Sequence, residues 1–273
     1  MADDNRIIVE ASLDIQASTK LIQSDLDKIS KIRKKIQFKD RYILAQAVNS
    51  TSIADVVIFV RRIIIISAIV EGAGIIIAIP GFYFACNGDI GKAIWNSIFT
   101  VISSFNNAGF DVLGNTSFVK EGVLSSSPDW AYYYVVTLSA ILIILGGLSF
   151  LVIIEIVGGK KRPSQYRAFT KIILTSTAFL LIGGFLVFLI TEVFCSNNGY
   201  NPYDAFYLSV TCRTAGFLTK NPHDMSTIGK IFSCFLMYVG GAPLGTAGGI
   251  KITTIYMVVL AMICYFRGKP VSS

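Results

Sequence analysis

Two short stretches of the chain close on the same three residues. Phe105-Asn106-Asn107-Ala108-Gly109-Phe110 and Cys212-Arg213-Thr214-Ala215-Gly216-Phe217 both end in Ala-Gly-Phe, 107 positions apart, and each follows a short apolar run of helical character. The chemistry open to such a loop is coordination by backbone oxygen. A potassium ion sheds its water only where carbonyls replace the hydration shell, as happens when several loops meet around one axis. Glycine suits that task because it accepts positive φ and has no side chain to obstruct the axis. On this reading Asn106, Asn107, Ala108, Gly109 and Phe110 form one ion-binding loop, and Thr214, Ala215, Gly216 and Phe217 form a second, with Gly109 and Gly216 central. Phe110 and Phe217 are expected to pack behind the loops, and Asn106, Asn107 and Thr214 to brace them by hydrogen bonding. The C-terminal ends of the short helices carry partial negative charge, which favours a cation near Phe105 and Cys212. Arg213 is out of place in a cation site, so its side chain is expected to point away, toward a carboxylate or carbonyls behind the loop. A three-residue match in a chain rich in glycine and phenylalanine also arises by chance or from helix packing. The position of both copies after a short apolar run favours the pore reading.

The elements that hold these loops must sit in lipid. Hydrophobic residues make up 53% of the chain and charged residues 15%, with a mean hydropathy of +0.62, a composition outside the range of soluble domains. Crossing a hydrocarbon core takes about 20 apolar residues, and Val56 to Ile79, Tyr132 to Val157 and Ile172 to Phe194 each supply them. Ile228 to Phe266 is long enough as well, but Gly240-Gly241-Ala242-Pro243-Leu244-Gly245-Thr246-Ala247-Gly248-Gly249 interrupts it with too many helix breakers. It reads as two half-helices joined by an unwound loop. Irregular backbone at membrane depth survives only where it is buried in protein or lines a wet cavity, so this loop also points to a pathway. The runs Ala93 to Ile102 and Pro202 to Val210 are too short to cross and must dip in and return, the shape of a pore helix.

The fold class expected is therefore an all-α membrane protein of repeated span, pore helix, span units with a broken final helix. Its parts are a cytoplasmic N-terminal segment and linker (1–55), a first unit (56–157), a basic loop (158–171), a second unit (172–266) holding the glycine-rich loop 240–249, and a tail (267–273). Lys and Arg concentrate before residue 63, in Lys160 to Lys171 and after Lys251, which places both termini and the middle loop in the cytoplasm. The net charge of +7 is then mostly topology, and no nucleic-acid partner is required. The lone His223 and five cysteines without C-x-x-C spacing offer no ligand set for a zinc, haem or thiol-redox centre. Gly249-Ile250-Lys251-Ile252 lacks the Gly-Lys-Ser/Thr of a phosphate loop, and no catalytic constellation appears, so an enzyme is not expected. Glu155 and Glu192 read as carboxylates near span ends that reach the interface, whereas Glu71 lies deep enough to need a partner.

The two loops, taken with Thr246-Ala247-Gly248-Gly249-Ile250-Lys251, resemble the Trk/Ktr/HKT potassium transporters, and among them the bacterial membrane subunit. The resemblance runs from about Ile36 to the C-terminus. It implies four span-pore-span repeats around one pseudo-fourfold pore, of which this chain carries the second and third. It also implies that Gly240, Gly241, Gly245, Thr246, Ala247, Gly248 and Gly249 form a gate, with Lys251 directly after it; Leu244 stands where a small residue is expected. Further implications are potassium uptake across the bacterial inner membrane, a homodimer, and a cytoplasmic nucleotide-binding ring meeting the basic segments Lys31 to Arg41 and Lys160-Lys161-Arg162-Pro163. The transported K+ is the only ion expected, and no cofactor. Two loops do not surround an ion as four do: either the chain is a fragment or two chains assemble. The alternative is a truncated, non-conducting membrane assembly protein, against which both loop glycines are retained.

Overall fold

Helix α1 (Ile53–Ala85) is a continuous, mostly apolar helix whose stretch Phe59–Ala85 is long and apolar enough to cross a membrane. The computed structural model describes residues 53–114, 117–120, 124–125, 127–158, 165–196 and 199–267. The N-terminal segment up to residue 52, the motif Lys160-Lys161-Arg162-Pro163 and the tail after residue 267 lie outside the described residues. The chain divides into two units, Met1–Ile66 and Ser67–Ser273. Of the first, the described part is the start of α1; the second holds both loops.

The chain leaves α1 through Asn87 and Gly88, both at positive φ, with the Gly88 amide donating to the Tyr83 carbonyl (2.9 Å). Asp89 then caps α2 (Ile90–Phe105), accepting from the Lys92 amide at 3.1 Å. That amide is the main reason the Asp89 carboxyl sits below its ordinary range. At 16 residues α2 is longer than the expected run Ala93 to Ile102, because the cap brings Ile90 to Lys92 into the helix and Ser103 to Phe105 continue it at the other end. At about 1.5 Å per residue it still falls short of a ~30 Å core.

Helix α3 (Asp129–Gly147) stops where the sequence reads as one span through Val157. Leu148 and Ser149 leave the helix, and Ser149 Oγ caps a separate α4 (Phe150–Val157) by accepting from the Leu151 amide at 3.3 Å. The expected continuous span Tyr132 to Val157 is thus two helices. Helix α5 (Ala168–Phe188) runs into a π-helical turn, Leu189–Phe194. The short α6 (Pro202–Thr211) starts with proline at its first position, where no amide is needed, and Asp204 reaches back to accept from the Asn201 amide at 3.1 Å. The expected broken span is present: α7 (Thr227–Tyr238) and α8 (Ile252–Phe266) flank the glycine-rich loop. Among the described residues there is no β-strand, only one bridge between Val239 and Ile250.

Helix α2 packs on α3 and α6 packs on α5, with α6 also meeting α3. In lipid, close approach rather than hydrophobic burial drives such contacts, and small residues permit it. Gly74 lets α1 close on Val101 of α2 and Leu142 of α3; Gly184 lets α5 close on Ser209 of α6 and Leu236 of α7. A further cluster of Leu148, Val152, Ile173 and Ala242 seats the glycine-rich loop on α4 and α5. α3 is the most enclosed span, with 56% of its most apolar 18-residue stretch buried against 11% in α1 and 22% in the α5 span, and both short helices pack on it. Ile69, Ile76, Phe179 and Ile182 face outward, the exposure expected of lipid-facing positions.

Candidate functional site

The two Ala-Gly-Phe loops lie side by side. A β-carbon placed on Gly109 would stand 2.5 Å from the Ala215 carbonyl oxygen, and one on Gly216 would stand 3.4 Å from the Gly109 α-carbon. The loops also follow one path. Asn107 (φ 50°) and Gly109 (φ 72°) are matched 107 residues later by Thr214 (φ 73°) and Gly216 (φ 88°), while Ala108 and Ala215 stay at negative φ. Each loop thus carries two left-handed residues either side of its alanine. Each loop is closed by a hydroxyl from the last turn of its helix. Ser103 Oγ donates to the Phe110 carbonyl and Thr211 Oγ1 to the Phe217 carbonyl, both at 2.6 Å.

Asn106, Asn107 and Thr214 each make a side-chain hydrogen bond, with partners the sequence does not name. Asn106 caps α2 and donates from Nδ2 to Glu71 Oε1 at 2.9 Å, so Glu71 has its partner. Asn107 donates from Nδ2 to Thr246 Oγ1 at 2.8 Å. Thr214 Oγ1 accepts from the Gly248 amide, also at 2.8 Å. The aromatic pair differs from expectation: Phe217 is fully buried beside Phe118, ring centroids 5.2 Å apart, but Phe110 is 72% exposed. Phe118 comes from the segment after the first loop, and its amide donates to the Leu218 carbonyl (2.9 Å); Phe110 has no such segment over it among the described residues. Arg213 is buried, as its turning away from the loop requires; Nε has no hydrogen-bond partner and, of the carboxylate or carbonyls expected, no described carboxylate pairs with the guanidinium.

The glycine-rich loop folds back on itself and docks into the α3–α4 break. The Gly240 amide donates to the Ile250 carbonyl (3.0 Å), and the Gly241 amide to the Gly248 carbonyl (3.3 Å). The two arms are too close for side chains: a β-carbon on Gly240 would lie 1.8 Å from the Gly248 oxygen, and one on Gly249, at φ 69°, 2.7 Å from the Gly240 α-carbon. The amides of Ala242 and Thr246 donate to the Gly147 and Gly146 carbonyls (3.1 and 2.9 Å), and Phe150 returns a bond to the Leu244 carbonyl (3.1 Å). Gly245 lies under the carbonyls of Leu148, Gly146 and Gly147, and Ala247 is buried. Lys251 Nζ donates to the Ala247 carbonyl at 2.7 Å. Leu244 occupies a left-handed conformation (φ 58°), uncommon for a residue of its bulk.

Three participants escape the sequence reading. Gly146 permits the docking, since a β-carbon there would fall 1.8 Å from the Phe105 oxygen; the Gly146-Gly147 pair was the available signal. Glu192 does not reach an interface. It is fully buried in the π-helical turn and accepts from Ser226, the cap of α7, at 3.0 Å from the amide and 2.5 Å from Oγ. Glu155 likewise receives the Arg167 amide (3.1 Å) and Thr170 Oγ1 (2.5 Å) at the start of α5. Among the described residues no group of histidine, cysteine and carboxylates is arranged to hold a metal.

Residues 28–272 match the profile of the TrkH family, described as cation transport protein. The chain belongs to this family. It is 36% identical over 250 residues to the potassium/sodium uptake protein NtpJ of Enterococcus hirae, an alignment covering 87% of this chain and 51% of that protein. It is 30% identical over 248 residues to the Ktr system potassium uptake protein B of Bacillus subtilis, covering 86% of this chain and 52% of the relative. The crystal structure of the potassium transporter TrkH from Vibrio parahaemolyticus superposes with a TM-score of 0.55 at 17% identity, over 85% of this chain and 49% of that one, a likeness of fold. This TrkH-family chain spans about half the length of the relatives it matches.

Proposed function

We propose that this TrkH-family chain contributes two of the loops of a gated, potassium-selective uptake pore in a bacterial inner membrane, with both termini cytoplasmic. The observation that carries the reading is the backbone contact between Gly109 and Gly216, in loops whose φ angles repeat position by position. A dehydrating cation needs backbone carbonyls in place of its water, which glycine at positive φ allows these loops to present, and the ends of α2 and α6 add partial negative charge toward it. The names of its relatives, potassium/sodium uptake protein and potassium uptake protein, agree with that cargo.

The glycine-rich loop Gly240–Gly249 is the gate in this reading. Its arms are side-chain-free, it bonds to both pore loops, and its bonds to the α3–α4 break are replaceable by water. Further pore loops complete the ring on the flank where Phe110 is exposed. Homodimerisation and a cytoplasmic nucleotide-binding ring that drives the gate belong to the same reading.

Rubidium uptake by potassium-transport-deficient bacteria expressing the protein tests it. Uptake that outcompetes sodium and is lost in Gly109→Ser, at wild-type membrane levels, is expected. Uptake unaltered by Gly109→Ser would remove the loops from the ion path.

A further inference from the structure

Asn107 and Thr214 are the same position of the two loops, and both turn their side chains onto the glycine-rich loop. Asn107 Nδ2 donates to Thr246 Oγ1 and Thr214 Oγ1 accepts from the Gly248 amide, each at 2.8 Å. Thr246 Oγ1 also donates to the carbonyl of Phe105, the last residue of α2, at 2.8 Å. Three consecutive residues, Thr246 to Gly248, therefore span from one pore loop to the other. Both side chains are aimed there by left-handed backbone, at φ 50° and φ 73°. For a β-branched threonine that conformation is a genuine outlier, held only where surrounding contacts over-determine it. The contact that meets Thr214 Oγ1 is the Gly248 amide. Asn107 is held from one end: Nδ2 donates to Thr246 Oγ1 and, at 3.5 Å, to the Ile143 carbonyl, while Oδ1 is buried with no hydrogen-bond partner.

We infer that Asn107 and Thr214 latch the glycine-rich loop to the two pore loops, so that opening that loop and loosening ion coordination are one event. The inference rests on the pore and gate reading above and adds a coupling between its two parts. With the loop docked, the Thr246 hydroxyl occupies the Phe105 carbonyl at the C-terminal end of α2, an end whose partial negative charge favours a cation. When the loop leaves, that oxygen is freed, Thr214 loses the partner that meets its strained backbone, and Asn107 keeps only the Ile143 carbonyl. Asn107 and Thr214 act as positioning residues: they touch the gate, and through it set the geometry of Gly109 and Gly216.

The test uses purified protein in lipid vesicles, with basal potassium flux, discrimination of potassium over sodium, and the rise in Tm caused by potassium as three readouts. Thr246→Val and Thr214→Val keep shape and remove the hydroxyl; Thr246→Ser and Thr214→Ser restore it. Both valine variants are expected to raise basal flux and lower discrimination together, by about fivefold or more given usual coupling strengths, and to shrink the potassium-induced rise in Tm; both serine variants return all three toward wild type. Should Thr246→Val fail to accumulate, Thr214→Val carries the same expectation through the Gly248 amide alone. Raised flux with wild-type discrimination, or all three readouts unchanged, overturns the latch and leaves the pore standing. A Gly216→Ala control with wild-type discrimination overturns the pore reading itself.

Discussion

Gly109 and Gly216 touch unequally. A β-carbon on Gly216 would make an ordinary 3.4 Å contact with the Gly109 α-carbon, whereas one on Gly109 would press to 2.5 Å on the Ala215 carbonyl oxygen. The two Ala-Gly-Phe loops thus predict different costs for one substitution. Gly216→Ala faces mainly its positive φ, at about 1–2 kcal/mol, and is expected to fold. Gly109→Ala faces the same strain and a backbone clash, and is expected to lower Tm further. Thermal unfolding of both variants in one detergent checks the order; equal Tm values would contradict the asymmetry.

Gly146→Ala places a methyl where the Phe105 carbonyl and Thr246 Oγ1 sit, at 1.8 and 2.7 Å. Gly147 beside it has only the Ala247 methyl in reach, at 3.8 Å. Gly146→Ala is therefore expected to displace the glycine-rich loop and raise basal rubidium flux, and Gly147→Ala to leave it near wild type. Flux measured on both variants at matched membrane levels decides, and equal effects would count against the docking.

Lys251 ties the end of the glycine-rich loop to its own Ala247 carbonyl at 2.7 Å. Lys251→Met keeps the stem and removes the donor. A charged donor's bond is worth about 1.5–3 kcal/mol, so the loop is expected to open several-fold more often, read as higher basal flux with unchanged maximal flux. A lower maximal flux would assign the lysine to the ion path.

Glu192 holds the cap of α7 from within the π-helical turn, fully buried, with Gly229 leaving room for its carboxylate. Glu192→Ala leaves the Ser226 amide and hydroxyl without that acceptor and opens a cavity. A loss of about 2 kcal/mol or more is expected, visible as a lower Tm, with ion discrimination preserved in the folded fraction. Altered discrimination at wild-type Tm would move Glu192 into the pathway.

The membrane character, both short helices, both loops and the unwound stretch from Gly240 to Gly249 were legible in the sequence because each rests on composition, glycine or a repeated string. The α3–α4 break was not. Apolar residues run unbroken from Leu138 to Val157 apart from Ser139, the Gly146-Gly147 pair, Ser149 and Glu155, and hydropathy does not separate one helix from two. What breaks the span is a tertiary contact, the carbonyls of Gly146 and Gly147 turning to the glycine-rich loop. Glu192 was misread for the same reason: its partner, Ser226, lies 34 residues on. Phe110 and Phe217 look alike in sequence and differ in burial because Phe118 covers only the second.

The central claim is that Gly109 and Gly216 line one ion path, and the measurement that meets it most directly is the potassium-to-sodium flux ratio of reconstituted wild type and Gly216→Ala. Gly216→Ala is the variant expected to fold while adding a side chain where the loops meet. A flux ratio that falls severalfold, with Tm close to wild type, is the predicted result. A ratio identical to wild type in the folded variant would contradict the claim and reduce the two loops to a packing motif.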